Sequence, residues 1–103
     1  MSLEVVWIWA AEVDAQNAFV RLDEASPEAA LRFVATTDRL LELLRIFPHL
    51  AAVWQPPVRK VSIRRSHYGL FYVVEPLRVV IIGVQDLRRD PERLRHELLG
   101  RLP

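Results

Sequence analysis

The chain contains no cysteine, so disulfide bonds, thiolate metal sites and cysteine nucleophiles are all excluded. It has only three glycines, each isolated, and therefore neither a glycine-rich phosphate loop nor a nucleophile elbow. Its three histidines, His49, His67 and His96, do not have the spacing of a zinc site. We therefore expect no metal and no cofactor.

Long apolar runs are also absent. No run approaches the roughly 18 residues that a membrane span needs. Glu4 and two nearby tryptophans do not fit the basic-then-apolar layout of a signal peptide. With 103 residues, 51% of them hydrophobic, the sequence predicts one compact domain, 1–103, in the cytoplasm.

The net charge of +1 conceals a division between the two halves of the chain. Residues 1–58 carry four arginines and eight acids, whereas residues 59–103 carry ten basic residues and five acids. Thirteen of the fourteen basic residues are arginine. Arginine suits bidentate contact with phosphate and carboxylate, and genome composition is an equally good explanation of the bias. Such a polarised charge distribution indicates an acidic or anionic partner for the second half.

The segment 58–91 reads as three consecutive β-strands with basic residues near its ends. The apolar runs 70–74 and 79–82 must bury at least one face, which leaves the arginines at the strand ends and on the open face. The basic residues in question are Arg59, Lys60, Arg64, Arg65, Arg88 and Arg89. They suit an anionic partner, although a solvated rim of arginines has the same pattern.

The rest of the chain is predicted to be mainly helical. Residues 3–8 form a short apolar strand, and apolar residues then recur at helical spacing over 10–24. Ser26-Pro27-Glu28 predicts the start of a second helix that ends near Ile46, because serine caps, proline fits the first position and glutamate favours the first turn. Residues 48–57 are expected to form a loop, and Asp90-Pro91-Glu92 to begin a short helix that ends near Leu99.

The predicted order is strand, two helices, three strands and a short helix, an α+β fold. The two helices are close enough in sequence to pack as an antiparallel hairpin. The links between the last three strands are too short for crossovers, so these strands form an antiparallel meander that the first strand joins. The strand over 79–84 is apolar on both faces, and its second face is either partly exposed or covered by a partner protein.

Several short motifs, in this order and spacing, resemble the RelE/ParE superfamily of toxins from bacterial toxin–antitoxin systems, and the ParE branch in particular. These motifs are Val6-Trp7, Ala11-Glu12-Val13-Asp14, Ser26-Pro27-Glu28-Ala29-Ala30, Leu44 with Pro48-His49-Leu50-Ala51, Val58-Arg59, Tyr68-Gly69-Leu70-Phe71-Tyr72, Val84-Gln85-Asp86 and Arg88-Arg89-Asp90-Pro91. The resemblance implies a helical hairpin on a twisted antiparallel sheet. It further implies a type II toxin that inhibits DNA gyrase and is neutralised by a cognate antitoxin.

The chain departs from this family at two places. Ile8-Trp9 stands where many members have threonine-proline, and Asp86 stands where many have histidine. The second difference removes an imidazole from the end of the last strand, where it could act as an acid or base. This loss weakens a catalytic role for the end of the strand. The alternative function is a ribosome-dependent mRNA interferase of the RelE kind, and a third possibility is an inactive toxin-fold binding module.

The sequence predicts contacts with two partners and no catalytic residue. Tyr68, Tyr72 and His67 could move a proton, but tyrosines in a sheet usually pack, and a histidine in a tight turn is usually solvated. The residues expected to bind the target are Arg59, Arg64, Arg65, Tyr68, Arg88 and Arg89. Those expected to bind the antitoxin, through which the protein would oligomerise, are Trp9, Phe19, Phe47, Trp54 and Tyr72.

Overall fold

The computed structural model describes residues 2–102, and its elements follow the predicted order. They are β1 (Glu4–Trp7), α1 (Trp9–Ala25), α2 (Pro27–Ile46), β2 (Val53–Gln55), β3 (Val58–Ser62), β4 (Tyr68–Val74), β5 (Arg78–Asp86) and α3 (Pro91–Leu99). The α+β class, the helical hairpin, the antiparallel meander and the short third helix are confirmed.

One expectation is wrong, because residues 48–57 do not form only a loop. Val53–Gln55 pairs with β3 as the edge strand β2, with Val53 opposite Arg59. Trp54 lies edge-on against Phe71, with the ring centroids 4.9 Å apart, so its burial supports this short strand. The meander therefore has four strands rather than three.

The five strands form one sheet in the order β1-β5-β4-β3-β2. β1 joins it as predicted and runs parallel to β5, with Val5 opposite Val79. The other neighbouring strands are antiparallel. Since the pairing of β1 ends at Ile81, the outer edge of β5 from Ile82 to Asp86 has no neighbouring strand among residues 2–102.

The helix starts lie where the capping residues predict them. The Ser26 hydroxyl accepts a hydrogen bond from the Ala29 amide at 3.2 Å, and Pro27 takes the first position of α2. The Asp90 carboxylate accepts from the Glu92 amide at 3.4 Å, before Pro91 begins α3. In both motifs a side-chain oxygen accepts a hydrogen bond from a backbone amide of the first helical turn, and a proline begins the helix.

The sheet separates two apolar clusters. Leu70, Tyr72 and Ile81 pack on the side of the α1–α2 hairpin, while Phe71 and Ile82 pack on the opposite side. α3 covers part of that opposite side with Leu94 and Leu98. The chain itself therefore covers part of the second face of β5, which the sequence predicts to be either partly exposed or covered by a partner protein.

Side chains occupy the free edge of β5. The Val84 amide donates to Asp14 Oδ2 at 3.0 Å, and Arg101 Nη1 donates to the Ile82 carbonyl at 2.9 Å. Arg101 also holds Asp14 through Nη1 to Oδ2 at 2.6 Å and Nη2 to Oδ1 at 3.2 Å. This ion pair thus satisfies backbone groups that a further strand would otherwise pair, and it connects α1, β5 and the segment after α3.

Candidate target-binding cleft and apolar groove

Three arginines line one cleft at an end of the sheet. The cleft has a volume of about 510 Å³ and lies between the last turns of α1, the β3–β4 turn and the end of β5. Its lining residues are Arg21, Leu22, Ala25, Arg65, Ser66, His67, Tyr68, Asp86 and Arg88. We refer to it as the arginine cleft. Three of the predicted target-binding residues, Arg65, Tyr68 and Arg88, meet here.

Hydrogen bonds fix the turn that carries Arg65. The Ser66 hydroxyl donates to the Ile63 carbonyl at 2.7 Å and accepts from the Tyr68 amide at 3.1 Å. The Leu87 amide donates to the His67 carbonyl at 2.7 Å, which ties the turn to the end of β5. Arg65 has a φ of 61°, a left-handed conformation that glycine adopts more readily than arginine does.

Arg88 is oriented by the carboxylate of Asp86. Its Nε and Nη2 donate to Asp86 Oδ1 and Oδ2 at 3.0 and 2.8 Å, a bidentate pair. The hydrogen bonds from Arg88 outweigh partial burial and lower the pKa of Asp86 to about 2. Asp86 is therefore ionised at neutral pH and serves as an acceptor for the Arg88 guanidinium.

Tyr68 lies at the wall of the cleft and packs as a core residue. Its ring meets Phe33 of α2 edge-on, with centroids 5.7 Å apart. Together with Leu22 and Ala25 it gives the cleft an apolar wall below the guanidinium groups. The ring therefore has a packing role of the kind that the sequence predicts for it.

The other predicted target-binding arginines do not line the cleft. Arg64 is exposed in the same β3–β4 turn as Arg65 but is not among the residues that line the cleft. Arg59 Nη1 donates to the Ala51 carbonyl at 2.6 Å and so holds the segment before β2. Arg89 donates to Gln85 and to Glu97, the latter at 2.8 Å, which joins β5 to α3. Arg59 and Arg89 thus have intramolecular partners, and their target-binding role stays a prediction.

Arg21 is the residue of the cleft that sequence reasoning did not identify. It lies on α1, far in sequence from the arginine-rich strands, and its neighbour Leu22 packs against the core. Among residues 2–102, no carboxylate lies within 4 Å of the guanidinium groups of Arg21 and Arg65. Only the tertiary packing of α1 on β5 places them at the same cleft.

A second cavity lies between α1 and α2 and is mostly apolar. Its volume is about 400 Å³, and we call it the apolar groove. It is lined by Trp7, Glu12, Ala15, Gln16, Phe19, Phe33, Val34, Thr37, Asp38 and Leu41. Thr37 is 8% exposed, and its hydroxyl has no hydrogen-bond partner among the described residues. A buried hydroxyl without a hydrogen-bond partner carries a desolvation cost in the folded chain.

The residues predicted to bind the antitoxin do not share one surface. Phe19 lines the apolar groove. Trp9, at the start of α1, is 77% exposed, and Phe47, after α2, is 57% exposed. Trp54 is half-buried against Phe71. Of these four, Phe19 is the residue that the structure places in the groove.

Tyr72 is a core residue in this structure and presents no surface to a partner. It is 0% exposed, and its hydroxyl donates to the Pro48 carbonyl at 2.8 Å and accepts from the Ala51 amide at 3.4 Å. Burial raises the pKa of this hydroxyl, against the opposing effects of the Ala51 amide and Arg59. The expected antitoxin contact is therefore corrected to a structural role, which is to hold the segment 48–51 over the sheet.

No helix within residues 2–102 is long and apolar enough to cross a membrane. Over the same residues, no group of three or more histidine, aspartate or glutamate side chains is arranged to hold a metal ion.

Comparison with known proteins identifies the fold. No protein-family model matches the sequence, and no curated protein matches it. A solved structure described as the chromosomal ParDE TA system from P. aeruginosa superposes with a TM-score of 0.70 at 18% sequence identity. The match covers 82% of this chain and 96% of the other. The protein therefore has a ParE-like toxin fold, as the motifs in its sequence imply.

Proposed function

We propose that this protein is the toxin of a type II toxin–antitoxin system, and that it inhibits DNA gyrase by binding it. The observation that carries the proposal is the fold, because nearly the whole of one chain from a ParDE system superposes on this one. A fold alone does not define a target. The choice of gyrase therefore follows the ParE branch, and the choice of binding over catalysis follows the chemistry of the arginine cleft.

The arginine cleft supports binding because its groups recognise anions and do not form an acid–base pair. Asp86, with a pKa of about 2, cannot donate a proton at neutral pH. Its carboxylate is already paired with Arg88, and Tyr68 is packed on Phe33. Apart from His67, what remains is an array of guanidinium groups, which is suited to an anionic surface of the target.

The alternative of an mRNA interferase draws on one observation, the position of His67. This imidazole lines the same cleft as the arginines and could take or give a proton near a bound phosphate. RNA cleavage by the 2′-hydroxyl needs such a group together with cations that stabilise the developing charge.

The antitoxin is proposed to cover the apolar groove. Phe19, Phe33 and Leu41 offer an apolar surface there, and apolar side chains of a partner helix or extended segment would bury it.

One purified preparation should be assayed for inhibition of DNA supercoiling by gyrase and for cleavage of ribosome-bound mRNA. We expect inhibition of supercoiling without mRNA cleavage, and we expect His67→Ala and Tyr68→Phe to retain it. A nuclease that depended on either proton would lose roughly a hundredfold or more in rate. Rapid mRNA cleavage without an effect on supercoiling would refute the gyrase proposal and support the interferase.

A further inference from the structure

We propose that the arginine cleft binds a phosphodiester group of duplex DNA. The proposal rests on the proposed function only for the choice of DNA as the nucleic acid. The site itself follows from the residues that line the cleft, and it predicts that the toxin contacts the DNA that its target holds.

The first argument is the origin of the three guanidinium groups. Arg21 comes from α1, Arg65 from the β3–β4 turn and Arg88 from the segment after β5, and all three line one cavity. A carboxylate presents two oxygens in one plane, whereas a phosphate presents oxygens in tetrahedral directions. Cations that approach from three separate elements therefore suit a phosphate better.

The second argument is that Arg21 and Arg65 lack internal partners among residues 2–102 and that Arg88 uses only part of its guanidinium group. Arg21 and Arg65 form no ion pair within the described part of the chain. Arg88 uses Nε and Nη2 for Asp86, so its Nη1 remains available. The cleft has one carboxylate among three arginines and therefore carries an excess of positive charge. The apolar wall of the cleft lowers the local dielectric constant, which strengthens the attraction of these arginines for an anion.

The third argument is the conformation of Arg65. A left-handed residue other than glycine is held at a cost, and such residues are concentrated at functional sites. The turn is fixed by the Ser66 hydrogen bonds and needs no side chain at position 65. An arginine here adds charge at the cleft and nothing evident to the packing.

The test is DNA binding by the whole chain, measured by fluorescence anisotropy with a labelled duplex of about 20 base pairs over a range of salt concentrations. Arg21→Ala and Arg65→Ala should each weaken binding by on the order of tenfold. Each should also make the negative slope of the logarithm of the association constant against the logarithm of the salt concentration shallower by about 1. Arg39→Ala is the matched control, because Arg39 is exposed on α2 and lines neither the cleft nor the groove.

Three results would overturn the proposal. The first is an equal loss in Arg39→Ala, which would indicate diffuse attraction without a site. The second is binding of a polyglutamate peptide with the same dependence on Arg21 and Arg65 when duplex DNA does not bind. The third is tighter binding of single-stranded RNA with that dependence, which would assign the cleft to RNA.

Supercoiling assays with the same variants separate this site from the proposed function. If the unaltered chain inhibits gyrase but the cleft variants bind DNA as well as it does, the phosphodiester site is wrong and the function stands. If DNA binding depends on the cleft but supercoiling is never inhibited, the site stands and the gyrase proposal is wrong. The melting temperatures should not fall, since neither Arg21 nor Arg65 makes an internal contact that the substitution would break.

Discussion

Loss of the Arg101 guanidinium should destabilise this protein more than loss of any exposed arginine. The side chains of Arg101 and Asp14 are 16% and 10% exposed, so the pair is largely withdrawn from water. In Arg101→Ala the Asp14 carboxylate stays buried with the Val84 amide as its remaining hydrogen-bond donor, and the Ile82 carbonyl loses its donor. An uncompensated buried charge of this kind costs about 3 kcal/mol or more in free energy of unfolding.

That loss would be a large fraction of the stability of a small domain, which is typically about 5–15 kcal/mol. For a chain of this size it corresponds to a fall in melting temperature of about 15 °C. The assay is urea unfolding, in which the midpoint should fall while the slope stays constant. Arg93→Ala is the matched control, because Arg93 is 85% exposed and lies 3.8 Å from Asp90. It should cost no more than about 0.5 kcal/mol.

A double-mutant cycle with Asp14→Ala tests whether the two side chains act as a pair. The loss in Arg101→Ala/Asp14→Ala should be smaller than the sum of the single losses by about 1–3 kcal/mol, because the second substitution removes a charge that the first leaves unpaired. If Arg101→Ala were no more destabilising than Arg93→Ala, or if the two losses were additive, the reasoning about the β5 edge would be refuted.

Three further predictions concern the groove and the cleft. Thr37→Val should raise the free energy of unfolding, measured by urea denaturation, by about 1 kcal/mol because it removes a buried unsatisfied hydroxyl. The same gain in the neighbouring Thr36→Val would contradict this. Because the folded pKa of Asp86 is about 2, below its ordinary 3.8, its stabilisation is present above about pH 4 and is lost as the pH falls towards 2. An NMR titration of this carboxyl with a midpoint near 4 would disprove the ion pair with Arg88. Arg65→Gly should raise the free energy of unfolding by about 1 kcal/mol because glycine relieves the strain of the positive φ, and it should weaken growth inhibition. A less stable variant would contradict the first statement, and a fully toxic variant would contradict the second.

Local sequence signals predicted the helices well because their chemistry is local. Ser26 and Asp90 cap helices within a few residues of their own positions, and the proline that follows each one fixes the first turn. Pairing of β1 with the meander could also be expected, since an apolar strand needs a partner. The edge strand β2 was missed because it has only three residues between prolines, and it depends on the contact of Trp54 with Phe71.

The site was harder to predict because its residues are distant in sequence. Arg65 and Arg88 could be expected at strand ends, but the part played by Arg21 follows from the packing of α1 on β5. The pair of Asp14 and Arg101 spans 87 positions, and neither residue has a local signal that sets it apart from other charged residues. The burial of Tyr72 likewise follows from the segment 48–51 that folds over it.

The arginines of the chain are best distinguished by what each guanidinium contacts. Arg59, Arg89 and Arg101 donate to acceptors within the fold, so their substitution should lower stability as well as any activity. Arg21 and Arg65 have no such acceptor among residues 2–102, so the fold gains little from their charge. Double substitutions of adjacent arginines, such as Arg88 with Arg89, would mix the two effects. Single substitutions of Arg21 or Arg65 keep them apart, which makes these two residues the sharper probes of function.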